Sequence, residues 1–321
     1  TKPLGAVALL QQVAAGRIEL DAPIAEVWPE FAQAGKQGIS LRQLLSHRSG
    51  LSAVAKTLPP EALFDWTAMS TALAEQAPWW EPGAAHGYAP VTYAWLLGEP
   101  LRRLTDQRAG SYIQQHICQP LGMDFHVGVP DQDLPRIAHV SRLRNQYGDE
   151  GARALFAAMG EPEGLTAKAF GNPSSMMTST NKREWQQAEI LSANGTGNAR
   201  SLARFWQLLA HGGKLDGVSL LDAELVALMQ QEHSKGQDRT LLCPTRFGLG
   251  VMLEQDTPGG GFGMGPRAFG HPGAGGSLGF CDPDAQVGFG YVTNTMGPYV
   301  LMDPRALALS SAVKDCLREL D

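Results

Sequence analysis

Apolar residues recur at helical spacing from the first turn of this chain. Leu4, Val7, Ala8, Leu10 and Val13 fall at such positions between Pro3 and Gly16. Proline suits a first helical turn, where its missing N–H has no partner, and glycine accepts the left-handed stop, so a helix is predicted over residues 3–15. Ser40-Leu41-Arg42-Gln43 has the form of a capping box and predicts a second helix, closed by Gly50. Helical periodicity returns over 61–75 and 91–105, and Asn198 is placed to cap a helix from Ala199 to His211 that Gly212-Gly213 ends. After about residue 245 the period changes. Phe247 to Leu253, Ser277 to Cys281 and Val287 to Thr293 are short, rich in glycine and β-branched or aromatic residues. The last two flank Asp282-Pro283-Asp284 and predict a β-hairpin. Residues 304–319 close the chain as an amphipathic helix.

This order predicts an α+β fold, an antiparallel β-sheet flanked by helices with an all-helical lobe inserted. The expected division of the single domain is a mostly helical lobe over roughly 55–240 and a sheet lobe from 1–54 and 241–321. Residues 256–267, with Pro258-Gly259-Gly260-Gly261, are expected to form a flexible loop.

Composition narrows the function. The chain has 321 residues, 43% apolar and 18% charged, with a net charge of -6. That is globular, and without a Lys/Arg cluster it offers neither nucleic acid nor a membrane surface a partner. No apolar run approaches the roughly 20 residues needed to span a bilayer. Cys118, Cys243, Cys281 and Cys316 lie too far apart for a CxxC pair or a metal spacing, and free thiols mildly favour the cytoplasm. The histidines do not pair with carboxylates at helical spacing and no nucleotide loop is present, so no cofactor and no metal are expected. Nothing in the pattern sets an oligomeric state.

Candidate chemistry sits at three stations. Lys2 opens the first helix, where a serine three residues earlier would share its face and sit at the helix N-terminus, beside backbone N–H groups. A lysine kept neutral by burial can take a serine proton. Tyr88 stands in His86-Gly87-Tyr88, and a tyrosine near a lysine can relay a proton to a leaving group. His271 stands in Phe269-Gly270-His271-Pro272-Gly273-Ala274, where small residues admit a ligand and the Ala274 N–H can form half of an oxyanion hole. Each alone also fits an ordinary role: a surface lysine, a tyrosine in a glycine turn, a structural histidine. Ser179-Thr180-Asn181-Lys182 and Ser311-Ala312-Val313-Lys314 match S-x-x-K but do not precede Tyr88, and both are read as chance. His47 is read as structural, and Asp282 and Asp284 as turn residues.

Taken in order, the stations resemble the serine β-lactamase and penicillin-binding-protein superfamily, in its class C and family VIII esterase branch. Thr1-Lys2 would end S-x-T-K, Tyr88 would be the tyrosine of Y-x-N with Pro90 replacing asparagine, and His271-Pro272-Gly273 would be the third motif in its histidine form. Leu44-Leu45-Ser46-His47-Arg48-Ser49-Gly50-Leu51 resembles the "LLSHTSGL" segment, and Trp80-Glu81-Pro82-Gly83, Pro120-Leu121-Gly122-Met123 and Ser201-Leu202-Ala203-Arg204-Phe205 add to it.

The resemblance implies a β-lactamase/transpeptidase-like fold and acyl transfer from a small-molecule ester or lactam. The nucleophile it implies is a serine two positions before Thr1. Lys2 would help deprotonate that serine, Tyr88 would act as general base and then general acid, and His271 would replace the usual lysine. Gly273 and Ala274 would form the oxyanion and substrate edge. Without that lysine's fixed charge and the usual asparagine, the expected enzyme is a short-chain carboxylesterase with weak β-lactam hydrolysis. The alternatives are a catalytically inactive binding protein of the same fold and an N-terminal-nucleophile hydrolase using Thr1. The resemblance also implies strands before the nucleophile helix, so a polypeptide beginning at Thr1 is expected to be inactive and prone to aggregate.

Overall fold

The computed structural model describes residues 1–142, 148–174, 179–255 and 260–320. Its helices are α1 Lys2–Ala14, α2 Leu41–Leu45, α3 Trp66–Glu75, α4 Tyr93–Thr105, α5 Ala109–Ile113, α6 Glu150–Met159, α7 Leu165–Gly171, α8 Arg183–Gln187, α9 Ala199–Ala210, α10 Ala223–Gln230 and α11 Pro304–Leu320. Three two-residue pairings lie outside the main sheet: β1 Phe125–His126 with β3 Thr196–Gly197, β2 Ser141–Arg142 with the late strand β12 Thr295–Met296, and β4 Lys214–Leu215 with β5 Val218–Ser219. The main sheet is formed by β6 Ser234–Gln237, β7 Pro244–Phe247, β8 Met252–Leu253, β9 Phe269–Pro272, β10 Leu278–Asp282 and β11 Val287–Tyr291. Its order is β11-β10-β9-β8-β7-β6, with antiparallel neighbours throughout. The α+β class expected from the pattern is the one observed.

Helix α1 runs through the interior: every residue from Lys2 to Leu10 is buried. A helix covered on all sides must be apolar or small all round, and Gly5, Ala6 and Ala8 supply the close approaches. Helix α4 packs along it, and a Cβ at Gly5 would press on Leu191 and Leu97. On the sheet, α9 lies across β10 and β11. Gly279, Gly288 and Gly290 face it, and a side chain at any of the three would run into Trp206, Gln207 or Ala199. The opposite face carries a second apolar cluster, in which Leu278 and Phe280 meet Phe262, Met302 and Ala306 of the closing segment. Successive residues of β10 thus serve different layers, as a pleated strand requires.

Three predicted elements change at their ends. The capping box forms, with the Ser40 N–H donating to Gln43 Oε1 at 3.0 Å, but α2 stops at Leu45 well before Gly50. His47 takes a left-handed φ of 59° there and turns the chain. The helix expected over 61–75 splits into a 3₁₀ turn, Pro60–Phe64, and α3. Asp65 causes the break, because its carboxylate caps Ala68 N at 3.0 Å. The run from Phe247 to Leu253 is two strands, β7 and β8, joined by a tight turn in which Gly248 N bonds Val251 O. Gly250 sits in that turn with φ 73°, against Ala6 of α1. The periodicity could not show this turn, because the residues on both sides of it are buried.

Residues 256–259 of the expected loop lie outside the described residues. From 260 onward the segment is anchored: Phe262 and Met264 are buried, and Gly265 N bonds Asp282 Oδ2 at 2.8 Å. Among the described residues no helix is long and apolar enough to cross a membrane, and no group of His, Cys, Asp or Glu could hold a metal ion.

Candidate active site

The first turn of α1, the loop before α4 and the end of β9 meet at one place. Lys2 is 3% exposed. Its Nζ donates to Tyr88 Oη at 2.7 Å, to the Ser192 carbonyl at 2.9 Å and to the Pro90 carbonyl at 3.4 Å. Those three acceptors match the three protons of an ammonium. Burial nevertheless lowers the Lys2 amine to about 7. When the amine gives up a proton, one of its contacts must reverse. Carbonyls cannot donate, so only the Tyr88 hydroxyl can turn to the amine's lone pair.

Tyr88 is half-buried, and its ring lies 5.8 Å from that of His271, centroid to centroid. Burial pushes its phenol up, and the nearby Asp238 carboxylate adds to the effect. A phenol so placed keeps its proton at neutral pH and is a donor rather than a phenolate. The loop holding it is pinned through three consecutive backbone N–H groups. Gly87 N donates to the His47 carbonyl at 3.1 Å, Tyr88 N to both carboxylate oxygens of Asp238 at 3.1 and 3.0 Å, and Ala89 N to His47 Nδ1 at 3.3 Å. The left-handed turn at His47 is what lets one residue offer both its carbonyl and its ring to this loop.

His271 donates from Nδ1 to the Pro272 carbonyl at 2.6 Å, which leaves Nε2 as an acceptor, sealed from solvent and without a partner among the described residues. Burial, with Lys2 adding to it, drops the ring's pKa to about 3, so the imidazole is neutral. β9 pairs with β10 as far as Pro272, while its pairing with β8 involves only Phe269 and Gly270. The edge beyond Gly270 is therefore open on the side of the site. Gly273 does not offer its N–H there, having spent it on Ser277 O at 2.7 Å. Ala274 is exposed and its N–H meets no acceptor among the described residues. Arg305 steadies this turn, donating to Gly275 O at 3.0 Å while paired with Asp303.

The structure thus brings Lys2, Tyr88 and His271 together and sets Ala274 at the end of the same strand edge. The other S-x-x-K matches stand apart: the Lys314 amine is used on Met264 O, and Ser179 and Ser311 make no hydrogen bond to Lys2 or Tyr88. Thr1 Oγ1 accepts from Gly195 N at 3.0 Å. Sequence reasoning passed over Asp238, whose only local signal is an Asx-type turn, with its Oδ1 accepting from Thr240 and Leu241 N. It could not have found the carbonyls of Pro90 and Ser192, because every residue carries one.

Known proteins resemble this chain in sequence and in fold. The chain is 30% identical over 310 residues to the Esterase/beta-lactamase LipL of Mycobacterium tuberculosis, covering 94% of this chain and 70% of that one. A penicillin-binding protein homolog from Caulobacter crescentus superposes with a TM-score of 0.86 at 37% identity, covering 97% of this chain and 80% of the other. A family VIII carboxylesterase superposes with a TM-score of 0.83 at 31% identity, over 97% and 81% of the two chains. The family described as Beta-lactamase matches residues 1–313, and by that match over nearly its whole length the chain belongs to the beta-lactamase family.

Proposed function

We propose that this protein is a serine hydrolase acting as a carboxylesterase on short-chain esters, through an acyl-enzyme and with weak hydrolysis of β-lactams. The observation that carries the reading is the 2.7 Å bond between the buried Lys2 amine and the Tyr88 phenol. The nucleophile in this reading is a serine two positions before Thr1, one helical turn from Lys2. The serine proton reaches the amine, lowered to about 7, through Tyr88 Oη, which takes it as the phenol gives its own proton to Lys2. Because only the Tyr88 contact of Lys2 can reverse, the proton then travels through the phenol to the leaving alkoxide. The sequence expectation had Lys2 helping to deprotonate the serine and Tyr88 acting as general base and then general acid; the raised phenol supports a Tyr88 that keeps a proton throughout and works as a relay, with Lys2 holding the extra one. The Ala274 N–H supports the oxyanion on the open edge of β9. A neutral His271 offers no positive charge to a substrate carboxylate, which favours uncharged esters over β-lactams. The esterase-named relatives favour this reading over a binding protein without a nucleophile.

The test uses protein carrying the residues before Thr1. A fluorophosphonate should label the serine two positions before Thr1, and Tyr88→Phe should lower p-nitrophenyl butyrate turnover by about 10²-fold. Labelling at another residue, or full activity in Tyr88→Phe, refutes the assignment.

A further inference from the structure

We infer that Asp238 is a positioning residue for Tyr88: it aims the phenol that protonates the leaving group. The inference rests on the acyl-transfer reading above and extends it to a residue 150 positions away in the chain. Asp238 is fully buried, and among the described residues its carboxylate is met by hydrogen-bond donors. Oδ1 accepts from Thr240 N at 2.8 Å, Leu241 N at 2.8 Å and Tyr88 N at 3.1 Å. Oδ2 accepts from Tyr88 N at 3.0 Å and from the Thr245 hydroxyl at 3.3 Å. A carboxylate has about four acceptor positions, so this one is saturated. A protonated acid would waste one of these donors and find no acceptor for its own hydrogen. Thr245 has a single hydroxyl proton, given to Asp238, so its 2.8 Å contact with His86 Nε2 has the ring as donor. His86, Thr245 and Asp238 form a buried chain ending on the Tyr88 backbone.

The placement is specific. His47 holds the N–H groups on either side of Tyr88, and Asp238 holds the one between them. With the neighbouring peptides fixed, the Tyr88 N–H bond sets the rotation of the backbone from which the ring projects. Loss of that bond frees the phenol to swing off the line between Lys2 and the leaving oxygen, and displacements of this size are costly in a proton transfer. Asp238 touches neither substrate nor the reacting atoms, so its effect runs through Tyr88 alone.

A positioning role differs from a structural one in its dependence on the leaving group. p-Nitrophenolate leaves without help, whereas an alkoxide needs the proton that Tyr88 delivers. In Asp238→Ala, which leaves the Tyr88 N–H without either acceptor oxygen, kcat/KM should fall about 10²-fold on ethyl butyrate and about tenfold or less on p-nitrophenyl butyrate. Tyr88→Phe, which also removes the relay for the serine proton, should lose about 10²-fold on p-nitrophenyl butyrate and more than that on ethyl butyrate. A defect that merely reduced the folded fraction would lower both esters equally. Should Asp238→Ala fail to fold, replacing the Tyr88 amide by an ester linkage removes only its N–H and leaves the other Asp238 partners in place; it should reproduce the split. Equal losses on both esters, or none, in whichever of these proteins folds would overturn the inference. Full activity of Tyr88→Phe would instead overturn the acyl-transfer reading itself, so the two failures are distinguishable.

Discussion

Burial of the Lys2 amine has a consequence for stability that can be measured apart from the rate. The group is 3% exposed, and burial lowers its pKa from 10.5 to about 7. In the unfolded chain it titrates as an ordinary lysine, near about 10.4. Between these values the unfolded chain holds a proton that the folded protein has released. Stability rises with pH wherever the unfolded state binds more protons. The penalty of burying the charge is thus full below about pH 7 and lifts as pH climbs toward 10.5. Over that window it amounts to on the order of 5 kcal/mol as an upper bound. Lys2→Met removes the amine but also leaves Tyr88 Oη and the Ser192 and Pro90 carbonyls without their donor. That loss costs about 1–3 kcal/mol per buried acceptor and does not depend on pH. Absolute stabilities therefore mix two opposing effects, while the pH slope isolates the amine. Urea unfolding from about pH 7 to about pH 10 should show the wild-type free energy climbing relative to Lys2→Met. The His271 window, from 6.5 down to about 3, lies below this range. The raised phenol of Tyr88 acts only above its ordinary value of 10.0. Parallel curves for the two proteins between pH 7 and 10 would refute the claim that Lys2 is held in a desolvated site.

The same geometry sets other expectations. Ala274→Pro removes the open N–H and should lower kcat about 10²-fold with an intact fold by circular dichroism; an unchanged kcat would exclude it from the oxyanion site. Lys36 is fully buried, and its amine holds the carbonyls of Gln33, Ala74 and Gln76, so Lys36→Met should cost about 2–4 kcal/mol in urea unfolding while leaving esterase kinetics unchanged. Gly279→Ala would push a methyl into Trp206 of α9, and a loss of about 1–3 kcal/mol should appear as a lower urea midpoint. Cys316 is exposed whereas Cys118 and Cys281 are buried, so maleimide should label Cys316 at once and those two only on unfolding. Burial also pushes the Cys118 thiol up to about 12, which removes its nucleophilic thiolate at neutral pH.

Local rules carried the sequence a long way. Capping by Ser40 and Asn198, the terminal helix and the hairpin across Asp282 are decided by residues within a few positions of each other, and the chain shows them where the pattern placed them. Lys2, Tyr88 and His271 were legible because their residue types and order carry the chemistry. The sequence could also mark where an element ought to stop, at a glycine or a proline. It could not see Asp65 cutting a helix, or a turn hidden between two buried strands, because those outcomes depend on which neighbour each side chain meets. The working state of the site belongs to the tertiary structure alone. Water is excluded from Lys2 only once α1 is enclosed on every side, and that exclusion brings its amine to about 7. Tyr88 is aimed only when His47 and Asp238, 41 residues before it and 150 after it, close on three successive N–H groups. Residue identity determines which groups can exchange a proton; desolvation and long-range hydrogen bonding, which arise only on folding, decide which of them does so and in what direction.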